Sequence, residues 1–172
     1  VHELTKKVKK AFTKPVFVKL SAQVNDITEI GKSAEKAGAN GIVAINTLKA
    51  MSINLELQQP ILGNISGGYS GKAIKPVGIK AVFDLYKDVS IPIIGVGGIE
   101  SGTDAIEYIM AGSTAVQIGT SLYSRGVNVF RQITNEIKTW MNEYDFQSID
   151  RMIGCAHNKW KKLVDINFHF SK

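Results

Sequence analysis

Short apolar runs alternate along this chain with longer segments of helical period. The runs are "VFVKL" (16–20), "GIVAIN" (41–46), "IPIIGVGG" (91–98) and "STAVQIGT" (113–120). Each is rich in Val and Ile and bounded by Gly or Pro, which predicts strands buried on both faces, as in a parallel sheet. The segments between them have helical starts and stops. "ELTKKVKKAF" carries Leu4, Val8, Ala11 and Phe12 at helical spacing and should end before Lys14-Pro15. Asn25 or Asp26 can cap "ITEIGKSAEKA", which stops at Gly38; Ser101 or Thr103 can cap "DAIEYIMA", which stops at Gly112. Lys75-Pro76 opens "VGIKAVFDLYKDV" with proline in the first turn. "AGANG" and "AGSTA" both end a helix with glycine and lead straight into a strand. An amphipathic helix is predicted over 129–144 and one more over 148–154.

The repeating unit is a strand followed by a helix, with one long interruption at 47–74. That connection carries three glycines in five residues, "GGYSG", and reads as a functional excursion rather than a turn. Four right-handed units supply half the strands of a (β/α)₈ barrel, which takes about 250 residues to close. The chain also opens on Val1, inside a predicted helix. The expected fold is therefore α/β: the C-terminal half of a TIM (β/α)₈ barrel, strands 5 to 8 with their helices, in which residues 1–172 are half of one domain and the N-terminal half lies outside.

Composition narrows the class. At 172 residues and 44% apolar, the chain can bury a core, which excludes disorder. No window approaches the roughly 20 apolar residues of a membrane span, and "VHELTKKVKK" lacks the apolar centre of a signal peptide, so a cytoplasmic location is expected. The lone Cys155 excludes an internal disulfide, and His2, His157 and His169 have no metal-ligand spacing, so no metal site is expected. The net charge of +6 comes largely from "KKVKK" (6–10) and "KWKK" (159–162). Without interleaved aromatics in the first run or a nucleic-acid motif, these read as solvated helix faces.

The chemistry concentrates at strand ends. Gly95-Val96-Gly97-Gly98 departs from the dinucleotide fingerprint because Glu100 stands three after Gly97, and from the P-loop because Thr103 follows Gly102; "GYSGK" (68–72) fails the P-loop too. What remains is a strand ending in glycines before a capped helix, where N–H groups and the helix dipole can converge on an anion. Barrel phosphate sites commonly use the loops after strands 7 and 8, here "GVGG" and "IGT". The bland alternative is that these glycines only permit tight turns. Alternation puts Phe17 and Lys19 opposite Val16, Val18 and Leu20, so Lys19 is either a buried cation at the mouth or a snorkelling surface lysine. "INT" (45–47) offers an amide and a hydroxyl to a small polar ring, or is a simple turn. Cys155 and His157 follow the last strand, and Cys155 reads as a packed thiol rather than a nucleophile.

Taken in order, "PVFVKLS", "GIVAINT", "GGYSGKAIKPV", "IPIIGVGGIESGTDAIEYIMAGSTAVQIGT" and "IGCAH" resemble dihydroorotate dehydrogenase, over about residues 14 to 157. "SGKAIKP" is most similar to the class 1B branch, whose catalytic subunit is a TIM barrel with FMN at its mouth. The resemblance implies that Lys19 reaches the flavin ring and Ile45 packs on it. It likewise implies that Asn46 and Thr47 bind orotate, and that Gly71, Gly97, Gly98, Gly119 and Thr120 contact FMN, the last four around its phosphate. The implied reaction oxidises dihydroorotate to orotate in pyrimidine (UMP) biosynthesis, with hydride passing to flavin N5 while a cysteine or serine removes a proton. That base belongs to the first half of the barrel, so this chain supplies no catalytic base and alone should be inactive. Implied partners are an iron-sulfur flavoprotein subunit and further copies in a homo-oligomer. Two rival readings use the same glycine loops: a flavin-free sugar-phosphate isomerase barrel and a non-catalytic half-barrel binding module.

Overall fold

The computed structural model describes residues 1–158. The lysines of "KWKK" and His169 lie outside the described residues. The chain opens with α1 (His2–Ala11), β1 (Phe17–Leu20), α2 (Ile27–Lys36) and β2 (Gly41–Ala44). Asp26 is the residue that caps α2, its carboxylate accepting from the Thr28 N–H at 2.7 Å. The excursion then folds into two antiparallel ribbons: β3 (Leu48–Ala50) pairs with β6 (Gly67–Tyr69), and β4 (Ile53–Asn54) with β5 (Gln59–Pro60). A 3₁₀ turn at Lys72–Ile74 leads into α3 (Lys75–Asp88), with Pro76 in its first turn. Next come β7 (Ile93–Val96), α4 (Gly102–Ala111), β8 (Ala115–Gln117), α5 (Thr120–Arg125) and α6 (Asn128–Glu143).

The architecture is α/β around a four-stranded sheet of order β1-β2-β7-β8, parallel throughout. The register aligns Leu20 with Ala44, Ala44 with Gly95, and Gly95 with Val116. That row, with Val18, Ile42 and Ile93, packs against Val82 and Leu85 of α3 and Tyr108 of α4 in one apolar cluster. The other face carries Phe17, Lys19, Val43, Ile94 and Ala115. Among these Phe17, Lys19 and Ala115 are exposed. An all-parallel sheet ordinarily has both faces covered, and this face is left partly bare.

Three local expectations need correction. The helix expected over 148–154 is a 3₁₀ turn at Ile149–Arg151 followed by turn residues 152–154. Gly154 stops it, with φ at +69°, where a Cβ would meet the Tyr86 ring, and with its N–H donating to the Ile109 carbonyl at 3.1 Å. β2 stops at Ala44, two residues short of the predicted run. β8 ends at Gln117, so Thr120 begins the short helix α5 instead of ending a strand. No helix among the described residues is long and apolar enough to cross a membrane.

Candidate phosphate-binding site

All four sheet strands deliver their C-terminal ends to one cavity of about 150 Å³. β1 contributes Lys19, the end of β2 Ile45 and Thr47, and the excursion Ser70, Gly71 and Ile74. The turn after β7 adds Val96 through Glu100, and that after β8 adds Gly119 to Ser121. This is the edge at which parallel α/β sheets bind ligands, because the loops diverge there.

The turn after β7 needs its glycines. Gly97 has φ +131° and Gly98 φ +69°, both disfavoured for side-chain-bearing residues. A Cβ on Gly98 would stand 2.8 Å from the Gly71 carbonyl oxygen and 2.9 Å from Lys75 Cβ. The excursion therefore sits directly on the turn. Thr120 Oγ1 donates to Ser70 Oγ at 3.2 Å, and the buried Ser121 hydroxyl donates to the Ile99 carbonyl at 2.7 Å, so all three loops are tied together. Arg125 adds a guanidinium donating to the Glu100 carbonyl.

The N-terminus of α4 does not face the cavity as an open anion site. Ser101 and Asp104 form a capping box, in which Asp104 Oδ2 accepts from the N–H groups of Glu100 and Ser101, both at 2.9 Å. Glu136 from α6 accepts the Gly102 N–H. Protein carboxylates thus satisfy these amides, which corrects the expectation that the helix dipole itself greets the anion. The N–H groups of Gly98 and Ile99, one step upstream, make no hydrogen bond among the described residues. Gly119 also borders the cavity, and a Cβ there would touch nothing within 4 Å.

Beneath the turn lies a partly buried network. Lys75 Nζ donates to Asp104 Oδ1 at 2.7 Å and to Glu107 Oε1 at 3.1 Å. Burial opposes charge on Asp104, but hydrogen bonds from Lys75, the Glu100 N–H and Ser101 outweigh it and hold the carboxyl below its ordinary 3.8. Burial also opposes charge on Lys75, and its two carboxylate partners more than restore it, raising its pKa. The Tyr108 hydroxyl donates to the Gly97 carbonyl at 2.8 Å, and burial pushes its pKa far up, so it stays a donor. Since Asp104 binds protons less readily folded than unfolded, its contribution to stability is complete well above pH 3.8 and drains as pH falls through the lowered folded value. Urea unfolding across acid pH should show that loss, and Asp104→Asn should flatten it; equal slopes in both proteins would contradict it.

Of the residues singled out from sequence, Lys19, Ile45, Thr47, Gly71, Gly97, Gly98, Gly119 and Thr120 line the one cavity. Asn46 does not. Its side chain is exposed, and its N–H joins the strand ends by donating to the Leu20 carbonyl at 2.7 Å. Lys19, one reading of which was a buried cation, is exposed and makes no ion pair among the described residues. Ile45 is buried at 2% exposure, and Thr47 packs where a Cβ on Gly68 would fall. His157 stacks on Phe83 with ring centroids 3.8 Å apart, and its Nε2 lies 2.9 Å from the Ala111 carbonyl oxygen. That places it at the far end of α4, about 15 Å of helix from the cavity. Cys155, two residues before it, is half-buried and does not line the cavity. Sequence reasoning missed Ser70, Glu100 and Ser121 at the cavity, and Lys75, Asp104 and Tyr108 behind it. Asp104 was within reach, since it stands three residues after Ser101 in a capping pattern.

Fold and site together define an α/β protein with a glycine-lined cavity at the C-terminal edge of a parallel sheet. The dihydroorotate dehydrogenase family profile matches residues 1–141, and the chain belongs to that family. It is 50% identical over 156 residues to the catalytic subunit of dihydroorotate dehydrogenase B (NAD(+)) of Pyrococcus horikoshii, covering 91% of this chain and 52% of that protein. The subunits of the same name from Methanocaldococcus jannaschii and Thermoplasma acidophilum are 49% and 50% identical, each over 91% of this chain and 51% of the relative. The chain spans about half the length of the curated relatives it matches.

Proposed function

We propose that this chain is the C-terminal half of an FMN-binding (β/α)₈ barrel that oxidises dihydroorotate to orotate for pyrimidine synthesis. The observation that carries the reading is the cradle itself. Two N–H groups without partners among the described residues, Gly98 and Ile99, border a cavity that also receives an exposed lysine and an open glycine, Gly119. That donor set fits a phosphate, and the apolar Ile45 and Val96 beside it fit a ring system. Gly97, Gly98, Gly119 and Thr120 would hold the phosphate of FMN, Gly71 the chain leading from it, and Ile45 and Lys19 the ring. Bound FMN supplies the two-electron acceptor that the reaction needs. Thr47 and Asn46 are assigned to the substrate ring, Asn46 by turning its exposed amide over the strand end.

The partly bare row of exposed Phe17 and Ala115 with half-buried Ile94 supports the barrel reading, because the strands of a first half would enclose it and pair with the outer edges of β1 and β8. That half would bring the base. The relatives' designation as a catalytic subunit supports a separate partner subunit. The resemblance alone proposes that this partner is an electron-accepting iron-sulfur flavoprotein, that the assembly contains further copies of this chain, and that it works in the cytoplasm. The same cradle would serve a flavin-free isomerase, and the ligand itself separates the two. The chain fused behind the first half of the Pyrococcus horikoshii relative should purify with a yellow ligand that heat releases as FMN, identified by mass spectrometry. A folded, colourless fusion that binds a sugar phosphate would overturn the assignment.

A further inference from the structure

Resting on the phosphate reading above, we propose that Asp104 and Tyr108, one turn apart on α4, are positioning residues that aim the Gly98 and Ile99 N–H groups at the phosphate end of the ligand. The two residues clamp the turn on both sides of those groups. Tyr108 fixes the Gly97 carbonyl at 2.8 Å, and Asp104 fixes the Glu100 and Ser101 N–H groups at 2.9 Å. The Gly97 carbonyl belongs to the planar peptide that carries the Gly98 N–H, so Tyr108 orients that N–H directly. Between this peptide and the Ile99–Glu100 peptide held by Asp104 only one remains, the one that carries the Ile99 N–H, and with both neighbours fixed it keeps little freedom to turn away.

The clamp also reaches across to the excursion. Lys75 follows the 3₁₀ turn after Gly71, and its ammonium donates to the second oxygen of Asp104 at 2.7 Å. Its backbone N–H nitrogen and the Gly71 carbonyl oxygen crowd the position of a Gly98 Cβ, at 3.0 and 2.8 Å. One carboxylate therefore holds the turn after β7 and the turn before α3 in a single arrangement. Asp104 is 6% exposed, Tyr108 is fully buried, and neither lines the cavity, so both act through the backbone they hold. Helix capping accounts for the bonds between Asp104 and Ser101. It does not require the bonds from Lys75 or from Tyr108, which bind loops rather than the helix end.

Capping and positioning predict different ligand dependence. A lost cap weakens the fold and every ligand alike, whereas a misaimed turn weakens only a ligand that carries the phosphate. The test is a titration of the ¹⁵N-labelled fusion with the first half of the Pyrococcus horikoshii relative, stripped of flavin, with FMN and with riboflavin, which lacks the phosphate, following the amide signals of Gly98 and Ile99. The unsubstituted fusion should prefer FMN and shift both signals. Asp104→Asn should lose on the order of tenfold in FMN affinity with riboflavin affinity unchanged, the size of one charge-assisted hydrogen bond. Tyr108→Phe keeps the buried ring and should lose roughly fivefold, again for FMN alone; it decides the matter if Asp104→Asn fails to fold. Retention of the full FMN preference by the variants would overturn the positioning role and leave the phosphate reading standing. Equal affinity of the unsubstituted fusion for the two ligands would overturn both.

Discussion

Gly98→Ala is expected to empty the fused barrel of flavin while destabilising it by about 2–5 kcal/mol, the sum of a left-handed alanine and an overpacked contact. The backbone φ of +69° is strained for any side chain, and the new methyl would meet the Gly71 carbonyl oxygen at 2.8 Å and Lys75 Cβ at 2.9 Å. Neither neighbour can yield cheaply. Gly71 has its own φ of +88°, and Lys75 is anchored through Asp104. The excursion and the turn after β7 must separate, taking the Gly98 and Ile99 N–H groups out of line. Gly119→Ala is the matched control, because its φ is −119° and a Cβ there touches nothing within 4 Å. Its stability should stay within about 0.5 kcal/mol of the parent. Urea unfolding and flavin content, measured together, check both. A Gly98→Ala protein as stable and as yellow as the parent would remove the turn from the site.

Lys19→Ala should slow the bleaching of flavin by dihydroorotate on the order of 100- to 1,000-fold, the cost of removing one preorganised donor aimed at developing negative charge. The side chain leaves the C-terminal end of β1 for the cavity, on the sheet face opposite the helix-packed row. It makes no ion pair among the described residues, so its charge is available to whatever enters. A positive charge beside the acceptor lowers the energy of the electrons that arrive there. Lys19→Ala should accordingly lower the flavin reduction potential, and Lys19→Arg should recover part of both losses. Stability should not change, since Lys19 is exposed. An unaltered potential in Lys19→Ala would take the lysine out of the cofactor site.

How far the sequence disclosed this arrangement depended on how local each cause was. The sheet strands were legible because Val- and Ile-rich runs have few other uses in a chain of this polarity, and each cap was legible to within a pair of residues, Asn25 or Asp26 and Ser101 or Thr103, because capping acts within three residues; the fold selects Asp26 and Ser101. The face of Lys19 followed from alternation alone. Its exposure did not, because exposure depends on what packs over the opposite sheet face. The ribbons of the excursion are two or three residues long, too short for a period to declare itself. α5 has no apolar stripe, and it is fixed by long-range bonds such as that from Ser121 to the Ile99 carbonyl. Lys75 and Asp104 stand 29 residues apart, and nothing in either neighbourhood announces the pairing. The glycine turn occupied middle ground: its residues pointed to a candidate anion site, but only the folded chain distinguished the N–H groups already taken by Asp104 and Glu136 from those without a partner among the described residues.

The central claim is that this chain carries the flavin side of a dihydroorotate-oxidising barrel, and one spectrum tests it most directly. The fusion of the chain behind the first half of the Pyrococcus horikoshii relative, kept free of oxygen, should show visible flavin absorbance that bleaches when dihydroorotate is added and returns when an oxidant is supplied. A folded fusion that is colourless, or one whose flavin absorbance is indifferent to dihydroorotate, would contradict the claim.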